Sequence, residues 1–154
     1  MATTCEITDL LERSFHGGAW HGPAVAEALN GVDAVTAAWR SIADAHSIWE
    51  IVHHLTIWNE IPLRRIDGER GDEIAARDWI PVEQPSEAGW RQALDALRAV
   101  HRKLHDRVTE LTDEDLERPV AGADPTVGSM LLGVIQHNAY HGGQITLLRK
   151  AGTR

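Results

Sequence analysis

The sequence predicts an all-α protein: a four-helix bundle with short extra helical turns in its loops. Three observations predict it. Apolar residues recur alternately three and four apart along the long segments, the spacing of one helix face. Helix-start signals precede those segments, and Gly/Pro-rich stretches separate them. No segment reads convincingly as strand.

The first helix is expected over residues 8–16, followed by the Gly/Pro loop GGAWHGP at 17–23. A short helix at 24–29 and a further helical turn or two at 33–40 come next. The second long helix has the clearest start. Ser47 is followed three residues on by Glu50, the capping-box pattern, immediately before an apolar run. It should reach Ile66, with a kink or break at Pro62. GERGDE at 68–73 is a loop, and the chain through Pro81 and Pro85 is irregular. The third long helix spans 86–111, Thr112 and Asp115 mark a short capped turn, and 118–126 is a loop. The fourth runs over 126–150 and ends in basic residues before Gly152, the expected polarity for a C-terminus.

Composition narrows the function. The 154 residues suit one domain over 1–154. Fifteen Lys and Arg against 23 Asp and Glu give a net charge of −8, which argues against a binder of nucleic-acid backbone. One cysteine, Cys5, allows no internal disulfide, so the cytoplasm is the expected compartment. The opening MATTCEITDL carries Glu6 and Asp9 and has no apolar core of signal-peptide length. Residues 125–148 contain no charge, but they hold His137, His141, Gln136, Asn138, Gln144 and four glycines. A membrane span tolerates that many polar groups poorly; a buried helix with polar groups facing a site fits better.

The seams show which histidines point inward. On the last helix one stripe is Met130, Val134, His137, His141, Gln144, Leu148. On the second it is Ile51, His54, Trp58, Ile61, beside Trp49, His53, Thr56, Glu60, which ends in a charge. On the third it is Trp90, Leu94, Leu97, His101, Leu104, Val108, Leu111. Each carries histidine in mid-seam. Bundles build metal sites in this way, from side chains on facing helices. Histidines at i and i+4 share a face, and a third from a facing helix completes a set with open positions for water or substrate.

Spacing alone does not make a site. Nine histidines in 154 residues yield roughly half an i,i+4 pair by chance. His101 and His105 are such a pair, but His105 shares its stripe with Arg98, Arg102 and Thr109 and should face water. His137 and His141 instead lie in the charge-free helix on an inward seam. From the seams, a metal site and a pair of buried, hydrogen-bonded histidines both stay open.

HSIWEIVHHLTIWNE (46–60) and GVIQHNAYHGGQITLL (133–148) resemble the two signature helices of the DinB/YfiT-like family of metal-dependent four-helix bundles. The resemblance extends to AWHGP at 19–23. It implies a divalent ion, nickel or zinc, held by one histidine of the second helix and two of the last. The last-helix ligands would be His137 and His141. The family pattern places the second-helix ligand directly before Leu or Ile, which selects His54, also the seam residue, and leaves His53 at the rim.

Around these ligands the expected helpers are Gln144, to orient a nucleophile or a ligand, and Glu50, as a base one turn before His54 unless its capping role claims it. Gly142 and Gly143 would allow close helix packing or substrate entry. Trp58, His101, Tyr140 and His21 are candidates for the pocket wall. The resemblance implies a metal-dependent enzyme acting on a small molecule, by low-molecular-weight-thiol S-transferase or hydrolase-like chemistry. The alternative is a non-catalytic metal-binding stress-response homodimer of the DNA-damage-inducible type. A homodimer is expected in either case.

Overall fold

The structure, a computed structural model, describes residues 2–120 and 125–152. Its helices are α1 (Thr4–His16), α2 (Val25–Leu29), α3 (Ala34–Ala38), α4 (Ile48–Ile66), α5 (Asp72–Ala75), α6 (Glu87–Thr109) and α7 (Val127–Gly152), with a 3-10 turn at Asp115–Glu117. No strand occurs among the described residues, so the chain is all-α.

Local chemistry sets the helix starts. Ser47 Oγ accepts from the Glu50 N–H, and Glu50 Oε2 accepts from the Ser47 N–H at 2.8 Å. Ser86 caps α6 by accepting from the Gly89 N–H. The first helix begins four residues earlier than expected, at Thr4 rather than residue 8. Thr3 and Glu6 form a second capping box, in which the Glu6 carboxylate takes the Thr3 N–H at 2.8 Å. α4 continues unbroken through Pro62 to Ile66. Residues 67–85 are less irregular than expected, because α5 forms there. It begins after Gly71 (φ 72°), a left-handed conformation that glycine adopts without a Cβ clash. The expected loop over 118–126 is closed by an isolated bridge between Pro119 and Thr126, and 121–124 lie outside the described residues.

Four long helices pack in a ring. α1 touches α6 and α7, and α4 touches the same two, so α1 and α4 stand diagonally opposite. α2 packs on α7 and α3 on α4. The core falls into two apolar clusters. One contains Phe15, Leu55, Leu97 and Ile145; the other contains Leu11, Ile66, Leu104 and Val134. On each helix a polar residue separates them: Ser14 on α1, Asn59 on α4, His101 on α6 and Asn138 on α7, all buried. Asn138 Nδ2 donates to Ser14 Oγ at 3.1 Å, tying α7 to α1 across this layer. Buried polar groups are tolerated when they find such partners, and they then specify which layers face each other.

The buried face of α7 is rotated from the expected seam. It runs Leu131, Val134, Asn138, His141, Ile145, Leu148. His137 and Gln144 flank that face; His137 turns toward His54 on α4, and Gln144 toward His141 on its own helix.

Two glycines on α7 behave differently. A Cβ on Gly142 would meet the Pro23 carbonyl oxygen at 3.3 Å, so glycine there lets α7 approach the start of α2. A Cβ on Gly143 would meet open space. Gly143→Ala should therefore stabilise the fold by up to about 1 kcal/mol through helix propensity. Gly142→Ala should be less stable than Gly143→Ala, because Pro23 is backbone and must move. Urea denaturation of the two variants checks this, and equal gains would contradict it.

Candidate metal centre

Each candidate ligand is placed by its helix. His54 lies mid-α4, one turn past Glu50, and His137 and His141 lie one turn apart on α7. Where α4 and α7 touch, the three rings converge. His137 Nε2 is 2.9 Å from His54 Nε2 and 3.0 Å from His141 Nε2. One ligand nitrogen from each of the three lies within 4.8 Å of the other two.

The outer nitrogens are held by acceptors. Asp78 Oδ1 lies 2.6 Å from His54 Nδ1. A carboxylate only accepts here, so Nδ1 carries the proton and His54 Nε2 presents a lone pair. Gln144 Oε1 lies 2.6 Å from His141 Nδ1 and orients that ring likewise. Asp78 Oδ1 also accepts from the Trp58 indole N–H at 2.6 Å, which fixes the carboxylate in turn. Metal-binding histidines characteristically donate their other ring N–H to such acceptors.

The imidazoles are neutral. Burial pushes His137 and His141 down to about 4, with their histidine neighbours adding to the effect. Burial also lowers His54, partly offset by Asp78. The His54–Asp78 contact is thus a hydrogen bond of a neutral ring rather than an ion pair.

These residues fit a metal ion. One proton on His137 Nε2 can serve only one of its two neighbours well, and the remaining nitrogens face each other with lone pairs. A cation resolves that repulsion. His54, His137 and His141 would hold such an ion, each through one ring nitrogen.

The three rings line a cavity of about 540 Å³. His54, His137, His141 and Gln144 supply its polar floor. Ile42, Ile51, Trp79, Tyr140, Leu147 and Leu148 supply apolar walls. Trp79 stacks face to face on His54 (4.1 Å between centroids, 6°) and on His46 (3.6 Å, 3°), which closes one side.

The model of the DinB superfamily matches residues 19–145. The chain belongs to the DinB superfamily. No curated protein and no solved structure matches it. In this DinB-superfamily bundle all three converging histidines fall within the matched residues.

The other residues singled out in the sequence divide. Gln144 and Tyr140 line the cavity, Tyr140 at its exposed rim with its ring edge-on to His141. Trp58 packs against His54 and His137 from behind and lines a smaller pocket on that side. His53 turns away, accepting from the Trp49 indole at 3.0 Å. Glu50 lies outside the cavity lining. Its carboxylate is committed to the helix start and to Arg40, 2.6 Å from Oε1. His21 is exposed and outside that lining. His101 is wholly buried against Phe15 on the α1–α6 side.

Asp78 and Trp79 contact the candidate centre and were not singled out in the sequence. They sit in a segment without periodicity, and their contacts reach back 20 to 25 residues to α4. The only signal was an acid and an indole adjacent in an otherwise irregular stretch.

The depressed histidines give a pH dependence. Folded values near 3 for His101 and near 4 for His141 lie below the ordinary value of about 6.5. Below pH 6.5 the unfolded chain therefore binds more protons than the folded chain, and stability falls as pH falls through that window. In the metal-free protein each of these two buried rings should cost roughly 2 kcal/mol between pH 7 and pH 5. Urea denaturation at the two pH values reads this, and equal midpoints would contradict it.

Proposed function

We propose that the protein is a metal-dependent enzyme that joins or cleaves a small, largely apolar molecule at the His54–His137–His141 centre. The observation that carries this reading is the position of three converging, neutral imidazole nitrogens at the floor of an apolar cavity of about 540 Å³. A cavity of that size with a few convergent polar groups suits a small ligand. Nickel or zinc fits the all-imidazole donor set.

A divalent ion there supplies Lewis acidity, making water or a low-molecular-weight thiol nucleophilic near neutral pH. The chain's own residues supply the rest. His54, His137 and His141 hold the ion, and Asp78 and Gln144 keep two of those rings in the correct tautomer. Trp79, Tyr140 and Leu147 shed water from the cavity and accept the apolar part of the substrate.

A second reading is a non-catalytic metal-binding homodimer. Tyr140 and Leu147, about two-thirds exposed at the rim of the cavity, would offer such a dimer an apolar surface. No helix among the described residues is long and apolar enough to cross a membrane. The net charge of −8 favours a small-molecule substrate over nucleic acid.

The test is to load the protein with nickel or zinc and assay thiol addition to small electrophiles alongside ester hydrolysis. Metal-dependent turnover abolished by His137→Ala is the expected result. Stoichiometric metal with no turnover in either assay would favour the second reading.

A further inference from the structure

On the opposite side of the bundle, between α1 and α6, lies a second cluster that the histidine centre does not use. α1 presents Glu12 and His16, and α6 presents His101 and His105. One ligand atom each from Glu12, His16 and His101 lies within 4.8 Å of the others. His16 Nε2 is 4.0 Å from Glu12 Oε2, and His105 Nε2 approaches that same oxygen at 3.9 Å.

His101 decides what the cluster is for. Asn59 Nδ2 donates to the Leu55 carbonyl at 2.8 Å, which turns Asn59 Oδ1 toward His101 Nδ1 at 3.2 Å. Nδ1 must therefore carry the proton, and Nε2 presents a bare lone pair. That nitrogen is buried and has no hydrogen-bond partner, although the residue is fully enclosed. Leaving a buried acceptor unpaired is costly, so such an atom calls for an explanation. Protonation is not the answer, since burial holds the ring down to about 3. Phe15, stacked on it at 3.8 Å and 9°, locks its plane. A ring with one nitrogen anchored by an acceptor and the other bare is prepared as a metal ligand.

We propose that Glu12, His16 and His101 form a second divalent-metal site that clamps α1 to α6. Two imidazoles and one carboxylate are a donor set used for zinc and for non-haem iron. His101 supplies the buried anchor. Glu12 and His16, each about half exposed, let the ion enter from solvent without unfolding the bundle. His105 sits beside Glu12, its Nε2 3.9 Å from the carboxylate. Glu12 and His16 precede the residues matched to the DinB superfamily, while His101 lies within them. An ion bound by the folded state and not by the unfolded chain stabilises the fold by RT ln(1 + c/Kd) at free ion concentration c, so the effect grows with the logarithm of the ion concentration.

The test starts from His54→Ala/His137→Ala, which removes the first centre, and titrates zinc chloride calorimetrically while following the melting temperature. One equivalent of zinc should bind and raise the melting temperature. Adding Glu12→Gln or His16→Ala, both at half-exposed positions, should abolish both effects. In the intact protein the Nε2 nitrogen resonance of His101 should move on zinc addition, and should not move in His16→Ala. The proposal is overturned if the double variant takes up no zinc, if its zinc survives both further substitutions, or if the His101 resonance stays fixed in the intact protein. Because the first centre is absent from the calorimetric test, loss of catalysis there cannot be confused with failure here.

Discussion

His137→Ala should empty the three-histidine centre of metal. His137 is the hub of the cluster: its Nε2 lies 2.9 Å from one partner nitrogen and 3.0 Å from the other. Without it, His54 on α4 and His141 on α7 lose the ring between them, and two imidazoles from different helices remain. Ligand orientation alone is worth about 10–100-fold in affinity, so loss of a ligand should exceed the upper end of that range. The fold should persist. His137 flanks the buried face of α7 rather than lying on it, and truncation widens a space already open to the cavity. Isothermal titration with nickel, alongside a far-ultraviolet dichroism spectrum, separates loss of metal from loss of structure. Unchanged affinity would contradict the expectation.

Asp78→Ala should weaken metal binding by about 10–100-fold without removing a ligand. One carboxylate oxygen serves both His54 Nδ1 and the Trp58 indole at 2.6 Å. Its loss frees the His54 ring to change tautomer and turn, and leaves a half-buried indole N–H to find water. Asp78→Asn should fall between wild type and alanine, because the amide keeps an acceptor oxygen but no charge. Alanine binding as tightly as wild type would show that Asp78 is a surface contact with no influence on the centre.

Much of the fold was legible from local rules. Ser47 with Glu50, and Ser86 before α6, announced their helices because a cap acts within one turn. The start of α1 was not recognised, although Thr3 and Glu6 follow the same rule, because no apolar run marks the residues between Thr4 and Thr8 as clearly. The three converging histidines were legible because the inward seams and the family resemblance point to the same residues. The face of α7 was misjudged by a fraction of a turn. Asn138, a polar residue, takes a core position that periodicity assigned to His137, and the polar layer across the bundle is what makes that placement favourable. Asp78 and Trp79 were illegible for a different reason. Their role depends on how an irregular segment folds back on α4, and no local spacing encodes that return. His101 was read as an inward residue, but its partners on α1 lie some 85 to 89 positions earlier in the chain, beyond any helical pattern.

The most direct measurement is the zinc or nickel stoichiometry of the purified wild-type chain against His54→Ala/His137→Ala, by elemental analysis after loading and desalting. The three-histidine centre predicts that the double variant holds one equivalent fewer than wild type. Equal stoichiometry in the two proteins would mean that the converging histidines hold no metal.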